Sequence, residues 1–137
     1  MVPLQLKNYF FTDISIKVNP HFNPNIDNPD GELGLNVSVT PHEQEKNLFQ
    51  VDLEIRLEPK EDKNIFPYQI KLVTVGIFEV SPKWPKEEVM DLLKITGASI
   101  LYSAAREFLL IITSRLPWKP VMLPTVSFTH LKNKSSQ

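Results

Sequence analysis

The residues able to do acid–base, metal or nucleophilic chemistry are few and far apart. The three histidines, His21, His42 and His130, stand in separate polar stretches, and no two of them come within ligand spacing of each other. Each reads as a solvated loop side chain. There is no cysteine, which removes disulfides, thiolate metal sites and a cysteine nucleophile. The four glycines are scattered, so no glycine-rich turn is available to cradle phosphate groups. Asp52 and Glu54 share one face of an alternating segment and have the spacing of an acid–base pair. Arg56 follows on the same face, and the three read better as a solvated sheet surface of mixed charge. Arg106 and Glu107 are the only charges between Ile95 and Ile112. They read as an ion pair or hydrogen-bond anchor at a subunit contact. No catalytic residue, metal or cofactor is expected. Large apolar side chains also stand in proline-flanked loops, Phe22 and Ile26 in one, Trp118 and Met122 in another.

Those loops need a frame. Four segments alternate with period two, as half-buried strands do. The first covers Leu4–Val18, where the apolar set slips phase around Tyr9–Thr12 and predicts a bulge or bend. The second sets Leu33, Leu35, Val37 and Val39 against Gly34, Asn36, Ser38 and Thr40. The third sets Phe49, Val51, Leu53, Ile55 and Leu57 against polar neighbours, and the fourth runs from Pro67 to Val80. The polar links His42–Asn47 and Lys60–Asn64 are short enough to join antiparallel neighbours. The connection from Asn19 to Glu32 is longer and rich in proline and asparagine, an ordered excursion and not a hairpin. After Ser81-Pro82-Lys83-Trp84-Pro85 the period changes. Acidic residues open a helix from about Pro85 to Arg115, with a weak point at Gly97.

Between Ile95 and Ile112 apolar residues occupy every side of that helix, whereas a surface helix carries one stripe. A membrane span would drag Arg106 and Glu107 into hydrocarbon, so the expectation is a helix at the core of an oligomer. Ile100, Tyr102, Arg106, Leu109 and Ile112 are the expected interface. The fold class is α+β: a four-stranded antiparallel sheet followed by one long helix packed on it. The 137 residues, 42% hydrophobic and 23% charged, suit one domain over 1–128, with a polar tail over 129–137. A net charge of -1 gives no reason to expect nucleic acid, and the N-terminus lacks the pattern of a signal peptide. The expected compartment is the cytoplasm.

Several short stretches narrow the reading. Leu4-Gln5-Leu6-Lys7 leading to Thr12-Asp13-Ile14-Ser15, then Gly76-Ile77-Phe78, then Ala105-Arg106-Glu107 with Ser114-Arg115, and last Leu123-Pro124 with Val126-Ser127-Phe128 occur in this order from Leu4 to Phe128. In order and spacing the chain resembles the SecB family of protein-export chaperones. The resemblance implies an ATP-independent holdase that binds unfolded polypeptides or preproteins in apolar surface grooves, assembled as a homo-oligomer, a dimer of dimers. The groove lining it implies here is Phe22, Ile26, Leu33, Leu35, Val37, Trp118 and Met122. In that family the outer sheet face carries carboxylates that dock the zinc-bearing tail of the SecA motor. Asp13 keeps one such position, while Lys17 and Lys71 fall on others, and this reversal would repel a positive partner. Coupling to SecA is therefore not expected. A chaperone dedicated to one client, such as an antitoxin, stays open. So does a different class, a hot-dog-like thioesterase or a carrier of a small apolar ligand.

Overall fold

The computed structural model describes residues 2–25, 31–59 and 66–131. Four strands, β1 (Leu4–Val18), β2 (Gly31–Pro41), β3 (Leu48–Pro59) and β4 (Tyr68–Val80), form one antiparallel sheet in the order β1-β4-β3-β2. The short links join neighbours β2–β3 and β3–β4. The long β1–β2 connection carries the chain from one edge of the sheet to the other, as its length and composition require.

The alternation places one face of each strand in the core. Leu33, Leu57 and Ile70 lie opposite one another in the register, followed by Leu35, Ile55 and Leu72, and then by Val37, Leu53 and Thr74. On the central strands these side chains are buried; on the edge strand β2 they are half-buried. The phase slip in β1 resolves into two register shifts, at Leu6/Asn8 and at Phe11/Asp13. Each inserts a residue, so Leu6, Phe11 and Ile16 all keep to the core side opposite Phe78, Thr74 and Ile70.

The helix spans Lys86–Thr113. It opens with a 3-10 turn over Lys86–Glu88 and widens into a π-helical turn over Leu93–Gly97. Gly97, the weak point anticipated from sequence, is buried there. A Cβ on it would lie 3.6 Å from both Phe78 and Val51, so the widened turn sits where helix and sheet come close. By length and composition alone this helix would cross a membrane. It lies instead along the sheet, with Ala98, Leu101, Tyr102, Ala105, Leu109 and Thr113 buried. Spacings of three and four make these one face of a helix. Gly76 marks the tightest approach: a Cβ there would meet Leu101 Cδ2 at 2.8 Å and Phe78 Cε2 at 2.7 Å.

After the helix the chain turns back along it. Thr113 Oγ1 donates to the Leu109 carbonyl (2.6 Å) and accepts the Val121 N–H (2.8 Å), and the Tyr102 hydroxyl donates to the Pro124 carbonyl (2.6 Å). Val121, Leu123 and Phe128 close the core. The polar tail anticipated from residue 129 begins with a 3-10 turn, Thr129–Leu131, whose Leu131 packs on the core.

Candidate functional site

At one end of the core face two loops meet. Asn19 organises the first: its N–H donates to the Pro67 carbonyl (2.8 Å) and its Nδ2 to the Phe66 carbonyl (2.9 Å). Its own carbonyl takes the Phe22 N–H at 3.3 Å. That turn presents Phe22 to Trp118 of the post-helix loop, ring to ring at 5.3 Å and 64°, a favourable edge arrangement. The Trp118 N–H donates to the Tyr68 hydroxyl (3.2 Å), which fixes the second loop to the first residue of β4. Burial pushes the Tyr68 phenol up from its usual range, and the Trp118 N–H opposes that. Phe22 and Trp118, both in the groove lining that the resemblance implies, are thus brought together.

From this aromatic pair an apolar stripe runs along β2: Leu33, Leu35, Val37 and Val39, each half-buried. β2 is an edge strand without a register shift, and Glu32 is its only charged residue. The His42 N–H bonds the Leu48 carbonyl at 3.0 Å. Bonded and outward residues alternate along an antiparallel strand, so the outward N–H and C=O groups belong to Leu33, Leu35, Val37 and Val39. Among the described residues no backbone hydrogen bond from outside the sheet reaches these groups. The same four residues offer an apolar side chain and an open backbone edge. Such an edge is a template for another strand.

One of the anticipated lining residues is not described and another lies elsewhere. Ile26 lies outside the described residues. Met122 is not beside Trp118 but on the far side of the helix, in a small hollow with Ser103, Arg106, Glu107 and Leu110. Val121 and Leu123 are buried, and the residue between them points outward, 64% exposed. This corrects the placement of Met122 in the groove.

The helix itself needs a second correction. Tyr102 and Leu109 are 4% and 0% exposed within the chain, committed to the sheet, and offer nothing to another subunit. Arg106 and Ile112 are half-buried, and Arg106 Nε is enclosed with no acceptor among the described residues. Ile100 does lie on the open face, where Ile111 joins it at 58% exposure. Beside them Phe108 stacks on Phe11 of β1 at 4.5 Å. Tyr9, Phe10 and Ile14 of the same edge strand are also exposed. A continuous uniform helix hides which apolar side is already covered, so Ile111 and the β1 residues carried no signal in sequence.

On the outer sheet face Lys71 Nζ lies 3.2 Å from Asp13 Oδ2, while Lys17 is exposed opposite Gln69. Neither lysine turns inward. Asp52 accepts from Gln50 (2.8 Å), and Arg56 pairs with Glu54 and more loosely with Glu58. These are ordinary pairs of an exposed sheet surface. Among the described residues no cluster of three metal-ligating side chains occurs.

The family model for preprotein translocase subunit SecB matches residues 1–137. A protein-export protein SecB of Neisseria gonorrhoeae (strain ATCC 700825 / FA 1090) is 27% identical over 125 residues, 90% of this chain and 83% of that protein. A protein of the same name from Anaplasma phagocytophilum (strain HZ) is 30% identical over 115 residues, 77% of this chain and 73% of that protein. Among solved structures, the Mycobacterium tuberculosis SecB-like chaperone Rv1957, in complex with a ChAD peptide from the HigA1 antitoxin, superimposes with a TM-score of 0.71. It is 18% identical, with 91% of each chain covered.

Proposed function

The chain belongs to the family of preprotein translocase subunit SecB, and from that premise we propose that it is an ATP-independent holdase that grips unfolded polypeptides along the β2 side of its core face. The observation that carries this reading is the stripe Leu33–Val39, half-buried, free of charge and open along its backbone edge, with the Phe22–Trp118 pair at one end. An unfolded client exposes apolar side chains and unpaired backbone groups together. The stripe answers both: burial contributes roughly 25 cal/mol per Å² of apolar area, and edge pairing adds main-chain hydrogen bonds that ignore sequence. Aromatic and aliphatic surface of this kind suits many clients. The chain acts in the cytoplasm as a homo-oligomer, a dimer of dimers, with Ile100, Ile111, Phe108 and the β1 residues Tyr9, Phe10 and Ile14 at the contacts.

The test is suppression of aggregation when a chemically denatured client is diluted into buffer without nucleotide. The wild type holds the client soluble near stoichiometry, and Phe22→Ser with Trp118→Ser weakens that holding while leaving the fold intact. A double variant as protective as the wild type would move the groove elsewhere.

A second reading, a chaperone dedicated to few clients and uncoupled from SecA, draws support from the outer sheet face. Asp13 is already neutralised by Lys71, and Lys17 adds a positive charge beside them. A positively charged motor tail finds no free carboxylate in this trio. Calorimetry with the zinc-bearing SecA tail is expected to show weak or no binding. Tight, salt-sensitive binding would return the protein to general export.

A further inference from the structure

The sheet end opposite the aromatic pair holds a second apolar recess. Phe49 of β3, Val80 at the end of β4, Trp84 in the loop beyond it, and Val89 and Met90 of the helix surround a cleft of about 550 Å³. Two charged residues, Lys46 and Lys86, also line it, and no carboxylate does. The loop forming its wall is held by the Val80 N–H on the Asn47 carbonyl (2.9 Å) and the Trp84 N–H on the Ser81 carbonyl (3.0 Å). Trp84 Nε1 is enclosed with no acceptor among the described residues, whereas most buried donors have one. The cleft has the size and mainly apolar lining of a site for a short ligand segment. Phe49 and Leu57 share the core face of β3, eight residues apart in sequence. At about 3.4 Å per residue the recess lies about 27 Å from the aromatic end, and the β2 stripe spans the interval.

We propose that this cleft is a specificity subsite for acidic–apolar polypeptide, seating an aliphatic or aromatic client side chain against Trp84 and Met90 while an adjacent client carboxylate meets Lys46 and Lys86. The inference rests on the holdase reading and gives it a direction: clients enter with an apolar segment at the Phe22–Trp118 end and are selected for negative charge at the other. Two exposed lysines on an apolar floor favour carboxylates and turn away basic segments.

Trp84 and Trp118 are the only two tryptophans, so 5-fluorotryptophan labelling yields two fluorine resonances, assigned by Trp84→Phe and Trp118→Phe. The probe is a nine-residue, C-terminally amidated peptide alternating leucine or phenylalanine with glutamate; its counterpart carries lysine for glutamate. The glutamate peptide shifts the Trp84 resonance saturably, and the lysine peptide does not. Lys46→Glu with Lys86→Glu weakens that response by about tenfold, the scale of two exposed ion pairs replaced by repulsion. Both lysines are exposed, and an unchanged far-ultraviolet spectrum verifies the fold of the variant. Equal response to both peptides, or indifference to the charge reversal, overturns the proposal. So does a Trp84 resonance that moves with protein concentration alone, which assigns the cleft to a second copy. Movement with phosphatidylglycerol vesicles but not with peptide assigns it to a membrane and overturns it too. A silent Trp84 with aggregation still suppressed defeats this inference and leaves the holdase standing. A saturable, charge-selective Trp84 response with no protection of clients defeats the holdase and leaves the cleft's selectivity.

Discussion

Replacing Tyr68 by Phe removes one oxygen from a fully buried side chain and leaves its ring packing in place. What it takes away is the acceptor for the Trp118 N–H, 3.2 Å distant. That amide is only partly buried, so water recovers some of the loss. The cost falls near the low end for an unsatisfied donor, about 1 kcal/mol, or roughly fivefold in any equilibrium that needs the loop docked. Trp118 holds one half of the aromatic pair, so client binding at the proposed groove is expected to be such an equilibrium. Amide exchange at Trp118 is expected to accelerate by about fivefold, and client affinity, followed by calorimetry, to fall by up to the same factor. The urea midpoint falls with it, by roughly 0.3–1 M at a slope of about 1–3 kcal/mol/M, and the slope itself is preserved. Unchanged exchange at Trp118 together with unchanged affinity would show that this bond does not position the loop, and would refute the reasoning.

Ile111→Asp places a charge on the open helix face and is expected to dissociate the proposed oligomer in light scattering without unfolding the subunit. Leu109→Asp, at 0% exposure, is expected instead to abolish the thermal transition, because the charge is desolvated inside the chain. Gly76→Ala drives a methyl to within 3 Å of Leu101 and Phe78. It is expected to cost about 1–3 kcal/mol in urea unfolding with the slope preserved. Burial raises the Tyr68 and Tyr102 phenols above their ordinary value of 10.0. A native value raised above the unfolded one gives stability that is complete below the unfolded value and lost as pH rises through the native one. Urea midpoints are therefore expected to stay level from neutral pH to about 9 and fall above pH 10, with a shallower fall in Tyr102→Phe.

Much of the fold was legible because the strands alternate cleanly. β3 alternates from Phe49 to Leu57 without a fault, and its pairing with β2 follows residue by residue. β1 was harder, since two bulges at Leu6/Asn8 and Phe11/Asp13 give a period-two pattern that slips twice, and only one slip showed in the residues. The helix misled in a different way. Apolar side chains on all sides announce that more than one side is covered, but not which side belongs to the chain itself, so Tyr102 and Leu109 were expected at a subunit contact and lie in the core. Loops carry no period at all. Met122 shares a proline-broken loop with Trp118 in sequence, but between the buried Val121 and Leu123 it faces outward, into a hollow with Ser103, Arg106, Glu107 and Leu110. Trp84 reads in sequence only as part of a proline-broken link, because its neighbours in the cleft come from β3, β4 and the helix, far apart along the chain.

The central claim is that clients lie on the open edge and apolar stripe of β2. Hydrogen exchange of the segment Gly31–Pro41, measured with and without a saturating, non-refolding client, tests it most directly. The outward amides of Leu33, Leu35, Val37 and Val39 are expected to exchange freely in the client-free chain and to slow when client is bound, with β3 amides unchanged. Undiminished exchange across Gly31–Pro41 while the client is demonstrably held would contradict the account.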